Sequence, residues 1–272
     1  MQHIKRWITA LILAPLLLWV LIKGSLMAIA VLVSLVAVFA VREYLRIIFG
    51  NTDEPVSNTI KIISYTVSVL LVVGAYIGSW EILFLVLALD LMALAIFVLS
   101  RFSVDQTIFN SISKQVLGIV YIPVPLCLLI FIRQLEDGIF WIIWLLIVVF
   151  ASDTGAFYTG TFFGKRPLAP KISPKKTIEG SLGGIAASIL AGFVFCLIFF
   201  HDLSLAFLTI PGSLMIAVAG QIGDLFESAM KRASGIKDSG RLLPGHGGML
   251  DRIDGVLPAI PVLYAYLVFV LL

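Results

Sequence analysis

The chain has 272 residues, of which 60% are hydrophobic and only 13% are charged, and its mean hydropathy is +1.09. Soluble globular proteins carry roughly 25% charged residues, so this composition excludes a water-soluble domain and indicates a polytopic membrane protein. The net charge of +3 is too small to indicate a nucleic-acid-binding protein. Cys127 and Cys196 both lie inside apolar runs and form neither a disulfide framework nor a zinc-binding spacing.

Apolar runs recur along the whole chain and predict nine membrane-spanning helices. Backbone groups in lipid must be hydrogen-bonded internally, and no alternating barrel pattern is present, so we predict an all-α polytopic fold. The first run follows Lys5 and Arg6 as a signal peptide would, but the small-residue site at 28–30 lies inside the second run. We therefore expect the first helix to be retained. The predicted spans are residues 8–22, 25–41, 62–77, 82–100, 115–132, 139–160, 180–200, 204–223 and 256–272.

The lysines and arginines are distributed very unevenly between the two sides that nine spans create. All of them except Lys23 and Arg133 fall at the N-terminus or in segments 42–61, 101–114, 161–179 and 224–254. Positively charged residues near spans stay in the cytoplasm, so we expect the N-terminus and these segments to be cytoplasmic. We predict a single integral-membrane domain, residues 1–272, with N-terminal helices to about 132 and catalytic helices and loops from about 139 to 272.

Two acids lie inside predicted spans, where a charged carboxylate costs about 2.5–3.5 kcal/mol. Asp90 belongs to no motif, and we expect it to be a buried partner of a serine or a backbone group rather than a catalytic residue. Asp153 lies near the end of the sixth span, and we expect it to face a cavity or a partner.

A basic segment follows Asp153 and leads into the seventh span. It contains Ser173, Lys175, Lys176 and Thr177, immediately before the predicted helix. Lysines and hydroxyl groups at a helix N-terminus are well suited to bind phosphate. The alternative is that these lysines only anchor the helix on the positive side of the membrane.

Most of the remaining polar chemistry lies between Gly220 and Gly255. Carboxylates that hold a hard cation through oxygen, beside cations that hold phosphate oxygens, are typical of a site for a divalent metal and a polyphosphate. Glycines around His246 would let backbone N–H groups approach an anion. The alternative is a solvated charged loop between two helices. The acids are Asp224, Glu227, Asp238, Asp251 and Asp254, and the cations are Lys231, Arg232, Lys237, Arg241 and Arg252.

Three stretches together resemble the phosphatidate cytidylyltransferases, or CDP-diacylglycerol synthases. The first fits the family signature at Ser228, Lys231-Arg232, Lys237-Asp238, Gly240, Leu243-Pro244, His246-Gly247-Gly248, Met249 and Asp251-Arg252-Ile253-Asp254. The second has the pattern D-x-x-A-[FY]-x-x-G-x-x-F-G-[KR], from Asp153 to Lys165. The third has the pattern S-P-[KR]-K-[ST]-x-E-G, from Ser173 to Gly180.

The resemblance implies transfer of the cytidylyl group of CTP to phosphatidate, which gives CDP-diacylglycerol and pyrophosphate in phospholipid biosynthesis. It also implies Mg²⁺ as cofactor, with a second cation left open, membrane lipid as a partner, a bacterial cytoplasmic (inner) membrane, and a homodimer. The lipid phosphate is already a competent nucleophile, so no serine or cysteine triad is expected. The protein has to align two phosphates, screen their charge and stabilise the leaving pyrophosphate.

Residue roles follow from this chemistry. We predict Asp224 and Asp251 as metal ligands, with Glu227 and Asp254 three residues away as supporting or additional ligands. The predicted catalytic residues are Lys176, Lys231, Lys237 and His246, where His246 either donates to pyrophosphate or organises the loop. The predicted substrate-binding residues are Asp153, Ser173, Lys175, Lys176, Arg232 and Asp238.

Two other functions compete with this interpretation. A CTP-dependent polyprenol kinase would release CDP instead of pyrophosphate. A transporter would also need intramembrane acids, but it should show inverted repeats, and none is evident.

Overall fold

A computed structural model of the protein describes residues 15, 17–50, 56–101, 108–236, 239–240 and 247–271. Over these residues the chain is helical apart from one short hairpin, which confirms the all-α prediction. The described chain forms two compact units, the first from Met1–Phe131 and Ala233–Arg252, and the second from Ile132–Arg232 and Ile253–Leu272. The helices are α1 (Leu26–Phe49), α2 (Asn58–Ile77), α3 (Trp80–Arg101), α4 (Ile108–Tyr121), α5 (Pro123–Gln134), α6 (Gly138–Phe163), α7 (Ile178–Phe200), α8 (Leu203–Ala233), α9 (Leu250–Ile253) and α10 (Val256–Tyr266).

Eight stretches of the described chain are long and apolar enough to cross a membrane. They correspond one to one with the second to ninth predicted spans, and α4 with α5 forms one of them, broken at Pro123. The first predicted span, residues 8–22, lies mostly outside the described residues. The polytopic membrane fold is thus confirmed, whereas the single integral-membrane domain remains a prediction.

The first unit is built on α1, which packs against α2 and α4. Tyr44 of α1 is fully buried, and its ring fills the space that a side chain at Gly118 of α4 would need. The Tyr44 hydroxyl donates to the carbonyl of Lys114 at 2.8 Å, so the phenol also satisfies a backbone acceptor. The buried acid Asp90 accepts a hydrogen bond from Gln115 Nε2 at 3.2 Å. Its partner is therefore a glutamine amide and not the predicted serine or backbone group.

The second unit depends on the close packing of α6 against α7. The buried face of α7 carries a small residue at every fourth position, namely Gly180, Gly184, Ser188 and Gly192. Small residues let two helix backbones approach closely in a membrane, where dispersion and hydrogen bonds hold helices together. The Ser188 hydroxyl donates to the Val148 carbonyl of α6 at 2.8 Å. Trp144 of α6 donates through Nε1 to the Gly192 carbonyl at 3.2 Å.

An antiparallel hairpin joins α6 to α7, with β1 at Pro167–Ala169 and β2 at Ser173–Thr177. No strand was predicted here, so the hairpin corrects the sequence-based account of this segment. Thr177 ends β2 and caps α7, since its Oγ1 accepts from Gly180 N at 3.1 Å. The predicted N-terminal hydroxyl is therefore used in capping the helix.

Helix α8 is longer than predicted. It runs for 31 residues through Pro211 and continues ten residues past the predicted end at 223. Asp224, Glu227, Lys231 and Arg232 therefore lie on its last turns and not on a loop. A helix of this length spans about 46 Å, against about 30 Å for the hydrocarbon core of a bilayer.

Substituting Gly184 tests the packing of α6 on α7. A side chain there would come within 2.7 Å of the Ser152 carbonyl oxygen, so we expect Gly184→Leu to destabilise the protein by about 1–3 kcal/mol. The measurement is the midpoint of thermal denaturation in detergent. Ala186→Leu places the same side chain at an exposed position of α7 and should leave the midpoint near wild type. Equal midpoints for the two variants would contradict the packing assignment.

Candidate active site

The second unit brings three carboxylates and a lysine into one cluster. Asp153 comes from α6, Asp224 from α8, Asp254 from the turn before α10, and Lys176 from β2. The Lys176 ammonium forms an ion pair with the Asp224 carboxylate. Asp153 and Asp254 each lie near enough to Asp224 to interact with it electrostatically. Four residues that are distant in sequence, all of them candidate site residues, thus lie in one cluster. Their predicted roles, metal binding for Asp224 and Asp254, substrate binding for Asp153 and Lys176, and also catalysis for Lys176, stay predictions.

Glycine allows Asp224 and Asp254 to approach each other. A side chain at Gly223 would overlap the backbone oxygen of Asp254 and the ring of Pro258. Only glycine therefore lets α8 lie this close to the turn before α10. The residue after Gly223 is Asp224, so the contact brings the turn that carries Asp254 close to the helical turn that carries Asp224.

The hairpin that carries Lys176 is held at both ends. Glu179 accepts hydrogen bonds from the backbone N–H groups of Lys165 and Arg166 at 3.1 Å, and it pairs with Arg166 Nε at 3.0 Å. At the turn, Arg232 Nε donates to the Ile172 carbonyl at 3.2 Å. Arg232, predicted to bind substrate, therefore also ties the end of α8 to the hairpin.

Successive residues of a strand point to opposite faces, which separates the two predicted phosphate-binding lysines. Lys176 is half-buried and faces Asp224, whereas Lys175 is exposed. Ser173, at the start of β2, is half-buried. The structure thus places one of the two lysines in the carboxylate cluster.

Glu227 and Lys231 form a second ion pair, one turn apart on α8. The Glu227 side chain is fully buried, and the Lys231 side chain is 15% exposed. A buried carboxylate next to a lysine is stable only while the pair is intact. This pairing supports a structural role for Glu227, predicted as a metal ligand, and for Lys231, predicted as catalytic.

Asp251 belongs to the first unit, where it holds backbone groups of the signature segment. Its carboxylate accepts from Ser239 N at 3.1 Å and from Gly248 N at 2.9 Å. Gly247 adopts φ +84°, a conformation that favours glycine, between these partners. The described contacts therefore give Asp251 a structural role, because it holds the backbone of Ser239 and Gly248.

Sequence reasoning missed Glu43, a buried carboxylate of α1 in the first unit. Its Oε2 accepts from the Ser239 hydroxyl at 3.1 Å and from Leu250 N at 2.9 Å. One turn later on α1, Arg46 donates to the Ser239 carbonyl. A side chain at Gly240 or Gly248 would overlap the Glu43 carboxylate. The second span was predicted to end at residue 41, so Glu43 was assigned to the polar segment 42–61. The helix in fact continues to Phe49 and carries Glu43 as a buried acid.

Among the described residues, no group of three or more histidine, cysteine, aspartate or glutamate side chains is arranged to hold a metal ion. Mg²⁺ is commonly bound by one or two carboxylates together with substrate phosphates, so Asp224 and Asp254 fit such an ion. Asp251 lies in the other unit. The predicted residues Lys237, Asp238 and His246 lie outside the described residues.

Comparison with known proteins identifies the family of the chain. The sequence pattern of the family described as "Cytidylyltransferase family" matches residues 4–270. A phosphatidate cytidylyltransferase of Staphylococcus aureus (strain COL) is 33% identical over 269 residues, covering 97% of this chain and 98% of that protein. The phosphatidate cytidylyltransferases of Staphylococcus haemolyticus and Staphylococcus epidermidis are each 34% identical, with the same coverage. The chain therefore belongs to the cytidylyltransferase family, whose pattern it matches almost from end to end.

Proposed function

We propose that the protein transfers the cytidylyl group of CTP to phosphatidate, forming CDP-diacylglycerol and releasing pyrophosphate. The observation that carries the proposal is the cluster of Lys176, Asp224, Asp153 and Asp254 in the second unit. Such a cluster offers both a cation for phosphate oxygens and carboxylates for a divalent ion. The whole-chain similarity to proteins named phosphatidate cytidylyltransferase supports the choice of substrates.

The position of Asp224 along α8 suits a lipid substrate. It lies 21 positions after the first residue of the helix, Leu203, which corresponds to about 32 Å of rise. The hydrocarbon core of a bilayer is about 30 Å thick, so a helix that starts at one boundary places Asp224 near the other. The phosphate of an embedded lipid lies at the same level.

The chemistry needs positioning and charge stabilisation more than a protein nucleophile. A phosphatidate oxygen attacks the α-phosphorus of CTP, and the bond to the bridging oxygen of pyrophosphate breaks. Lys176, on a hairpin fixed at both ends, is placed to hold phosphate oxygens during the transfer. In the second unit, Asp224 and Asp254 would hold Mg²⁺, which when bound screens the phosphate charges.

The enzyme is proposed to lie in the bacterial cytoplasmic membrane with its active-site segments on the cytoplasmic side. The excess of cations in segments 42–61, 101–114, 161–179 and 224–254 supports a cytoplasmic position for these segments. The named relatives are bacterial, which supports the bacterial cytoplasmic membrane as the location. A homodimer and a second cation remain expectations from the family resemblance.

The decisive experiment measures pyrophosphate release by the purified protein in detergent with CTP, phosphatidate and Mg²⁺. We expect release to need all three components, to match CDP-diacylglycerol formation, and to stop when EDTA is added in excess. Release of CDP instead would assign a kinase. Well-folded protein without any nucleotide chemistry would overturn the proposal.

Asp224→Asn tests the carboxylate cluster. The amide keeps the shape of the side chain but loses the charge that pairs with Lys176 and binds a divalent ion, so we expect kcat to fall about a hundredfold or more. The control is Glu136→Gln, which neutralises an exposed acid between α5 and α6 and should retain wild-type kcat. A kcat for Asp224→Asn within a few-fold of wild type would contradict the assignment.

Glu43 provides a test of the signature loop in the first unit. Glu43→Ala leaves the Leu250 N–H and the Ser239 hydroxyl without their described acceptor. We expect kcat to fall about 10- to 100-fold, the range for residues that hold catalytic ligands in place. Glu43→Gln should keep most of the activity, because its amide oxygen can accept both hydrogen bonds.

Both variants are assayed well below their thermal denaturation midpoints, so that loss of folded protein is not counted as loss of turnover. Full activity in Glu43→Ala, or equal losses in the two variants, would show that hydrogen-bond acceptance by Glu43 does not support catalysis.

A further inference from the structure

A cavity of about 620 Å³ lies in the first unit, between the last turns of α1 and the first turns of α2. Three cations line it: Arg42 and Arg46, one turn apart on α1, and Lys61 on α2. Tyr65, one turn after Lys61, adds a phenol to the wall. Neither the catalytic cluster of the second unit nor the contacts of Asp251 involve Arg42 or Lys61, so these cations have no role in the mechanism given above.

The charge of this cavity is not balanced by its described surroundings. Within the described part of the chain, no carboxylate forms an ion pair with Arg42, Arg46 or Lys61. Glu43 also lines the cavity, and its one negative charge offsets only one of the three positive charges, so the described lining residues keep a net positive charge. Cations gathered in a concave site attract anions, and phosphate oxygens are strong acceptors for arginine and lysine donors.

Arg42 and Lys61 keep donors for a ligand. The described contact of Lys61 is a long one, 3.5 Å from Nζ to Asn58 Oδ1. The positive charge of Arg42 acts on the phenol of Tyr65, which lines the same cavity. Arg46, by contrast, donates to the Ser239 carbonyl and so connects the wall to the signature segment.

Apolar side chains complete the wall. Phe39, Leu45 and Val56 line the same cavity as the three cations. The volume lies within the range of about 300–1,000 Å³ that is usual for small-molecule sites. A ligand with a phosphate and an apolar or flat organic part would therefore match both the charges and the apolar surface.

We propose that this cavity is a binding site for a phosphate-bearing ligand, held by Arg42, Arg46 and Lys61. The choice of candidates rests on the proposed function, which supplies two phosphate-bearing sources. One is a lipid phosphate, as in phosphatidate, and the other is the phosphate chain of CTP or pyrophosphate. The simpler alternative is that these cations only anchor α1 and α2 at the membrane surface.

The test compares binding by wild type and the double variant Arg42→Gln/Lys61→Gln. Arg46 is left in place because it holds Ser239. Phosphatidate is titrated into the detergent-solubilised protein and followed by native mass spectrometry, whereas CTP and pyrophosphate are titrated by calorimetry. The matched control is Lys23→Gln/Arg101→Gln, which removes two exposed cations of the same unit from outside the cavity lining.

We expect the cavity variant to raise the Kd of at least one ligand about tenfold or more, equivalent to about 1.4 kcal/mol. The control should stay within about twofold of wild type. Weaker binding of phosphatidate alone assigns the cavity to lipid, and weaker binding of CTP or pyrophosphate assigns it to the nucleotide. Unchanged Kd values for all three ligands, or equal losses in the control, would overturn the proposal.

A charge-keeping variant, Arg42→Lys/Lys61→Arg, guards against a folding defect. It should bind within a few-fold of wild type, and a loss as large as that of the glutamine variant would overturn the electrostatic basis. Both measurements report ligand binding and do not depend on enzymatic turnover. A protein that binds through the cavity but releases no pyrophosphate would overturn the proposed function alone.

Discussion

The close approach of α6 and α7 is the constraint on which the second unit depends. Gly180, Gly184, Ser188 and Gly192 leave no side-chain bulk between the helices, so backbone and side-chain groups of α6 reach α7 directly. This contact places the polar end of α6, with Asp153, beside the start of α7. The hairpin between the two helices is short and ends at Thr177, which caps α7, so the position of Lys176 follows from the helix packing. Lys176, a catalytic residue in the proposed function, is thereby positioned by the packing of α6 on α7.

The first unit holds the signature segment in a different way. Here a carboxylate on a membrane-spanning helix, Glu43, accepts hydrogen bonds from groups 196 and 207 positions later in the chain. Backbone N–H groups buried without acceptors cost about 1–3 kcal/mol each, so Glu43 and Asp251 together determine which loop conformation is stable. Gly240 and Gly248 fit because their missing side chains leave room for the Glu43 carboxylate. The N-terminal helices therefore do more than cross the membrane, since α1 organises part of the segment that carries the family signature.

Hydropathy was sufficient to predict the eight described spans, because the hydrophobic thickness of a bilayer determines how long an apolar helix must be. Hydropathy did not predict where helices with polar ends stop. The apolar run of α8 stops near 223, but the helix continues because i and i+4 pairs such as Glu227 and Lys231 support it beyond the apolar part. The β1–β2 hairpin lacks any alternating apolar pattern and could not be predicted from periodicity. Sequence reasoning identified Asp224, Asp254 and Lys176 as candidates one by one, but it did not predict that the three lie together in the second unit. Glu43 belongs to none of the family motifs, and its partners are distant in sequence, so it was missed.

The two ion pairs of α8 differ in their ability to take part in a reaction. Glu227 is fully buried beside Lys231, so separating that pair would leave an uncompensated charge in a low-dielectric interior. Lys176 and Asp224 are 29% and 36% exposed, so water can reach both partners and separating them costs far less. In the proposed reaction, phosphate oxygens replace Asp224 as the partner of Lys176, and the released carboxylate becomes available to a divalent ion. The exposed pair thus neutralises the charges of its own two members before substrates arrive and supplies both binding groups afterwards, whereas the buried pair stabilises the helix that carries it.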